Sequence, residues 1–201
     1  MDLARPIEAL IPGARGLILG VLICAGRELS TADIGRLAVV SAGQASRVLR
    51  QLDQMGLVQR REVPPAVVYR PVEENLVVGL LRELCRARDL VVERAAVTSS
   101  MIVPRPHRLS IYGSIARGGG GPGSDIDVCV VRPYGADDES SWAESLDAWR
   151  LGLELFAGSP VTLLEVSSDE WQSGRLRAGL WKSIAAEEVV LLDAETAGVA
   201  L

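Results

Sequence analysis

The stretch Gly113–Asp127, GSIARGGGGPGSDID, decides how the second half of this 201-residue chain is read. It follows Arg108–Tyr112, RLSIY, an apolar run that reads as a strand entering a tight turn. Gly113 and Ser114 make that turn, and a short helix is expected to begin near Ser114. Beyond the glycine tract, the alternation in DIDVCVV puts Asp125 and Asp127 on one face of one strand. Two carboxylates that close repel when ionised, and a divalent cation relieves the repulsion. Oxygen-only ligands favour Mg²⁺ or Mn²⁺ over zinc. Backbone N–H groups of the turn, with the Ser114 hydroxyl, can bind phosphate oxygens, and Arg117 adds a positive charge. A triphosphate cradle beside a metal site meets the main demands of phosphoryl and nucleotidyl transfer. Taken singly, a Gly-Ser turn, an Asp-x-Asp pair and a glycine tract are all common in ordinary loops. Their order and spacing carry the reading.

That order resembles the DNA polymerase β-like nucleotidyltransferase superfamily. Its signature is a hydrophobic residue before Gly-Ser, a spacer, then Asp-hydrophobic-Asp. Here Tyr112-Gly113-Ser114 is followed by ten residues and then Asp125-Ile126-Asp127. GSIARG and SDID are similar to the small, minimal nucleotidyltransferases of bacteria and archaea. The resemblance covers residues 100–201. It implies that Gly113 and Ser114 contact the phosphates of an NTP and that Asp125 and Asp127 hold the metal ions and serve catalysis. It also implies that Arg117 touches phosphate or braces the loop, and that Gly118–Gly121 form a mobile edge of the pocket. The family places a third carboxylate on a later strand, and the matching stretch here is Val161-Thr162-Leu163-Leu164. Thr162 therefore stands where a carboxylate is expected, and threonine is a poor Mg²⁺ ligand and no base at neutral pH. Glu165 is the nearest substitute, but alternation turns it to the opposite face unless the strand shifts register. Glu154 and Asp169 belong in or beside helices and are weaker substitutes. Three outcomes stay open: nucleotidyl transfer, metal-nucleotide binding without turnover, and a site that has lost both.

The rest of this half supplies sheet and cover. DDESSWAESLDAWRLGLELFAG reads as a helix with an acidic first turn, PVTLLEVS as a strand, DEWQSGRL as a helix capped by Ser168, and EEVVLLD as a last strand.

Toward the N-terminus the pattern changes. Residues 14–26 read as an apolar helix. Ser30 or Thr31 can cap a second helix, TADIGRLA, and Ser41 a third, SAGQASRVLRQLDQMG. In the third helix Ala45, Val48, Leu49 and Leu52 fall at helical spacing, and Gly56 ends it. LVQRRE and AVVYRP are strand-like runs around Pro64-Pro65, a hairpin with a stiff tip. Three helices and a hairpin make a winged helix-turn-helix, and the stretch is similar to winged-helix regulators of the MarR and ArsR type. In that arrangement Ser41, Gln44, Ser46 and Arg47 would meet base edges of double-stranded DNA, while Arg50, Arg60 and Arg61 would reach phosphates. Winged helices also serve as protein-binding modules. From Glu73 to Ser99, Val77, Leu80, Leu84, Ala87 and Val91 recur at helical spacing. That stretch reads as one connecting helix, packed on its own domain or offering a homodimer face.

The fold class expected is therefore α+β: a winged helix-turn-helix over 1–72, a connecting helix over 73–99, and a nucleotidyltransferase-like domain with a mixed sheet flanked by helices over 100–201. The function expected is a DNA-binding protein with a metal-dependent nucleotidyltransferase domain. The alternative is a regulator whose second domain binds a nucleotide or partner without catalysis.

Composition sets the bounds. Hydrophobic residues make up 48% and aromatics only 4%, so the core is aliphatic and disorder is not indicated. Residues 11–70 carry 8 basic and 4 acidic side chains, whereas 101–201 carry 8 and 15. That asymmetry points to a polyanion partner for the N-terminal segment alone. Cys24, Cys85 and Cys129 are far apart and each lies in an apolar stretch, so buried reduced thiols are expected. With His107 as the single histidine, zinc is improbable. The apolar run between Arg15 and Arg27 falls short of the roughly 20 residues of a membrane span. Asp2 and Glu8 precede it and no small-x-small cleavage site follows, so a cytoplasmic protein is expected.

Overall fold

A computed structural model describes residues 1–134, 140–173 and 184–194. Two compact units are present: Arg5–Ala87, and Arg88–Leu201 together with Met1–Ala4.

The first unit holds α1 (Pro6–Leu10), α2 (Ala14–Ala25), β1 (Leu29–Ser30), α3 (Thr31–Leu37), α4 (Ala42–Gln54), β2 (Val58–Val63), β3 (Ala66–Pro71) and α5 (Leu76–Cys85). Its strands form an antiparallel sheet in the order β1-β3-β2. Ser30 Oγ accepts from the Asp33 N–H at 3.1 Å, and Ser41 Oγ from the Gln44 N–H at 3.3 Å, so each helix starts on a side-chain cap. Gly56, at φ +70°, ends α4 in the left-handed region that only glycine enters without cost. Ala45, Val48, Leu49 and Leu52 of α4 are buried against Ile18, Leu22 and Ile23 of α2 in one continuous core. Burial of the valine, leucine and isoleucine side chains contributes about 1.5–3 kcal/mol each.

Two expectations change here. Cys24 and Cys85 are not free thiols: they form a disulfide between the end of α2 and the end of α5, with Cα atoms 5.7 Å apart. Cys24 is exposed rather than buried. Spacing in sequence could not show that packing α5 on α2 brings residues 61 apart into bonding geometry. The stretch 73–99 is not one helix either. α5 stops at Cys85 and α6 (Ala87–Thr98) starts after Arg86. α5 packs into the core of the first unit through Val78, Leu81 and Leu84, and α6 belongs to the second.

The second unit continues from α6 through a 3₁₀ turn, Ser99–Met101, to β4 (Arg108–Tyr112), α7 (Gly113–Ala116), β5 (Ile126–Val131), α8 (Ser140–Ala157), β6 (Val161–Val166), α9 (Ser168–Ser173) and β7 (Val189–Asp193). The sheet is mixed, in the order β6-β5-β4-β7. β4 is antiparallel to β5 and β7, and β5 is parallel to β6. α8 covers one face with Trp142, Leu146, Trp149 and Leu153, and the Trp149 indole N–H reaches Thr98 Oγ1 of α6 at 3.1 Å. On the other face Cys129 and Val166 pack with Tyr112, Leu164, Trp171 and Ile184.

At α9 the capping residue is Ser167, not Ser168. Ser167 Oγ accepts from the Glu170 N–H at 3.2 Å, and the Glu170 carboxylate accepts from the Ser167 N–H at 3.0 Å. That reciprocal pair is a capping box. Ser168 instead donates to the Arg132 carbonyl at 2.6 Å. The acidic first turn expected before α8, and the end of the helix expected over DEWQSGRL, lie outside the described residues. Among the described residues no helix is long and apolar enough to cross a membrane.

Candidate functional site

The turn and the aspartate pair meet at one end of the mixed sheet. β4 runs straight into α7, and Tyr112 pairs with Asp127 across the antiparallel ladder. A Cβ built on Gly113 would stand 2.4 Å from Asp127 Oδ2, so only glycine lets this carboxylate lie against the turn. Gly113 also sits at φ +74°, where other residues are strained. Gly113 is thus a steric requirement of the second aspartate.

Asp125 precedes β5 by one residue and is exposed, while Asp127 is half-buried. Burial is the main cause that pushes the Asp127 pKa above the ordinary carboxylate value of 3.8; the Asp125 charge adds to it and Arg117 opposes it. Tyr112 beside it is raised as well, first by burial and then by Asp127 and Cys129. Cys129, two residues further along β5, is buried and its thiol is pushed up to about 12, so it is a packing residue and no nucleophile.

Thr162 pairs with Asp127 in the parallel β5–β6 register, and its hydroxyl donates to Asp125 Oδ2 at 3.3 Å. Glu165 does not replace a third carboxylate. It points to the face covered by α8, accepting from Arg132 at 2.9 Å and from the Trp142 indole N–H at 3.3 Å. Glu154 is tied to Arg150 at 2.8 Å and to the Val161 N–H at 2.9 Å. Among the described residues no group of three or more His, Cys, Asp or Glu side chains could hold a metal ion.

Arg117 follows α7, is exposed, and forms an ion pair with Glu187, so its guanidinium is already neutralised in part. The glycine tract folds back on the turn. Gly119 N–H donates to the Ser114 carbonyl at 2.8 Å, and Gly120 is buried against Ile115. Sequence reading missed two neighbours of this site. Glu187 lies 70 residues from its partner, and Arg88 bonds the carbonyls of α7 from 27 residues away. Neither forms part of a local motif, so periodicity and spacing give no signal for them.

In the first unit, Ser41, Gln44, Arg47 and Arg50 are exposed on α4, and Ser46 is half-buried. The Ser41 hydroxyl is occupied as a cap. Arg50 Nε donates to the Ser46 carbonyl at 3.2 Å, which lays its side chain along its own helix. Arg60 and Arg61 are neighbours in β2 and face opposite ways. Arg60 pairs with buried Tyr69, and its own N–H donates to Asp53 near the end of α4 at 3.2 Å. Arg61 lies on the outer face, held by both carboxylate oxygens of Glu28 at 3.0 and 2.5 Å. It lines a cleft of about 580 Å³ with Arg27, Gln59, Arg70 and Glu73.

Residues 102–186 match the family model described as a nucleotidyltransferase domain. None of the curated proteins matches the chain. Among solved structures, the chain is similar to a toxin-antitoxin with AMP-PNP at 15% identity, over 53% of this chain and 76% of that one, with a TM-score of 0.38. It is similar to a minimal nucleotidyltransferase at 22% identity, over 54% and 93%, with a TM-score of 0.34. It is also similar to TrmBL2, an archaeal chromatin protein described with a novel mode of DNA binding, at 18% identity, over 92% and 78%, with a TM-score of 0.31.

Proposed function

We propose that this chain joins a duplex-DNA-binding module within residues 1–72 to a nucleotidyltransferase-type site that takes an NTP with Mg²⁺ or Mn²⁺. The observation that carries the reading is the packing of the Asp127 carboxylate against Gly113, with Asp125 on the same side and the match over 102–186 around them. Two carboxylates fit Mg²⁺, which keeps several waters and takes one or two carboxylates plus substrate phosphates. Asp125 and Asp127 would hold it, and it would supply charge neutralisation to the phosphates. The Gly113-Ser114 turn binds phosphate oxygens through N–H groups and the Ser114 hydroxyl.

In the transfer reading, the oxygen of an acceptor hydroxyl bonds to the α-phosphorus. The bond from that phosphorus to the bridging oxygen breaks, and pyrophosphate leaves. Thr162 cannot take the hydroxyl proton, so the aspartate pair or solvent receives it. A second reading is favoured by one contact, the Thr162 hydroxyl on Asp125 where a third carboxylate would stand. In that reading the site binds the nucleotide without turnover and biases DNA affinity. On the DNA side α4 presents Gln44 and Arg47 to the major groove, and a homodimer reading a two-fold site is the matching geometry.

The test uses NTPs labelled at the α-phosphate, with Mg²⁺ and duplex DNA present. Label transferred to an acceptor, with pyrophosphate released and both lost in Asp127→Asn, supports transfer. Intact NTP recovered beside a nucleotide-dependent change in DNA affinity supports regulation. Absence of nucleotide binding by the native protein under any metal condition rejects both.

A further inference from the structure

Arg88, in the first turn of α6, braces the nucleotide turn from behind. Its Nε donates to the Ile115 carbonyl at 2.7 Å and its Nη2 to the Ala116 carbonyl at 2.9 Å. Its Nη1 donates to Asp89 at 2.9 Å, so all three guanidinium nitrogens are engaged and the head group is held in one orientation. The side chain is only 27% exposed, and charge-assisted bonds in such a place are stronger than neutral ones. A one-turn helix leaves its last carbonyls without helical partners. In α7 these carbonyls are met by a planar fork whose donors serve two neighbouring oxygens at once.

The opposite side of the same turn carries the candidate chemistry. Gly113 lies so near Asp127 that a Cβ would stand 2.4 Å from the carboxylate. Any shift of α7 therefore changes the position of the phosphate donors relative to Asp127. Arg88 is also where the chain returns to the second compact unit, immediately after Ala87 closes the first. The segment that enters this unit is the one that holds the turn.

We propose that Arg88 is a positioning residue, which fixes the Gly113–Ala116 turn in the pose that receives a triphosphate. The proposal rests on the nucleotide reading above, so its test has two arms that can fail separately. Arg88→Met keeps the aliphatic stem and removes every donor, whereas Arg88→Lys keeps the charge but cannot serve both carbonyls equally.

The first arm is hydrogen exchange in the full chain without nucleotide. Gly118 N–H donates to Ile115 and Gly119 N–H to Ser114, so these amides report whether the turn is closed. In Arg88→Met their exchange is expected to accelerate by about tenfold, corresponding to about 1.4 kcal/mol, with Arg88→Lys intermediate and the β4 and β5 amides unchanged. Unchanged exchange at Gly118 and Gly119 overturns the proposal. Lost protection throughout β4 and β5 overturns it too, because Arg88 would then support the whole sheet.

The second arm is calorimetric titration with ATP and GTP in Mg²⁺. The Kd is expected to rise about tenfold in Arg88→Met and to recover partly in Arg88→Lys. Equal affinity of the native and Met proteins overturns the proposal. If the native protein binds neither nucleotide, the nucleotide reading falls together with the purpose assigned to Arg88. The exchange arm then still decides whether Arg88 holds the turn.

Discussion

Asp127 bears two opposed demands. It is half-buried beside Asp125, and burial chiefly, then that neighbour, raise its pKa. A raised carboxyl pKa means the folded state binds the proton more tightly than the unfolded chain. Its contribution to stability is therefore favourable at acid pH and is lost as pH rises through the folded pKa. At neutral pH Asp127→Asn removes the charge and should raise the melting temperature while weakening Mg²⁺-NTP binding by about tenfold. As pH falls below the ordinary value of 3.8 the melting temperatures should converge. Melting curves across pH, beside titrations at neutral pH, check both halves. Thr162 gives the complementary test, because its hydroxyl lies 3.3 Å from Asp125 Oδ2. Thr162→Asp places a third carboxylate beside two others. It should lower the melting temperature without metal and give a larger Mg²⁺-induced rise than the native protein shows. A variant that melts like the native protein with and without Mg²⁺ would put Thr162 outside any metal site formed by Asp125 and Asp127.

At the scale of elements, α4 and β2 decide which arginines can share a partner. Alternation along β2 sends Arg60 to the side of Tyr69 and Arg61 to the outer cleft beside Glu28. If α4 enters the major groove, Arg47→Ala should weaken duplex binding by about 1–3 kcal/mol. Arg60→Ala should lower affinity modestly and flatten the salt dependence, as loss of one phosphate contact does. Arg61→Ala should leave both nearly unchanged. A large effect from Arg61 alone would move the nucleic-acid surface to the outer face of the sheet. Fluorescence anisotropy over a salt series separates these outcomes. Helix starts were legible at this scale because capping is local: Ser30 and Ser41 accept from N–H groups three residues on. At α9 the local signal was ambiguous, with Ser167 and Ser168 adjacent, and packing of Ser168 against the Arg132 carbonyl settled it.

For the whole molecule, the disulfide and the two compact units make the main prediction. Cys24–Cys85 closes a long loop inside Arg5–Ala87, a cross-link typically worth about 2–4 kcal/mol through restriction of the unfolded chain. Reduction, or Cys24→Ser with Cys85→Ser, should lower the unfolding midpoint of the first unit and leave that of the second unchanged. Calorimetry under oxidising and reducing conditions, with mass analysis of the intact cross-link, measures this. A single transition that moves as a whole would show that the units unfold together.

The sequence by itself determined whatever depends on near neighbours. The spacing from Gly113-Ser114 to Asp125 and Asp127 singled out the candidate site, and alternation put the two carboxylates on one side. Helical periodicity marked the buried stripe of α4. Only the tertiary structure decided what joins residues far apart in the chain. It bonded Cys24 to Cys85, turned Glu165 away to Arg132 and Trp142, tied Arg117 to Glu187, and brought Arg88 behind the turn. The physical reason is that side-chain period and capping are set by local backbone geometry, whereas these contacts are set by the packing of whole helices and strands, which no local pattern encodes.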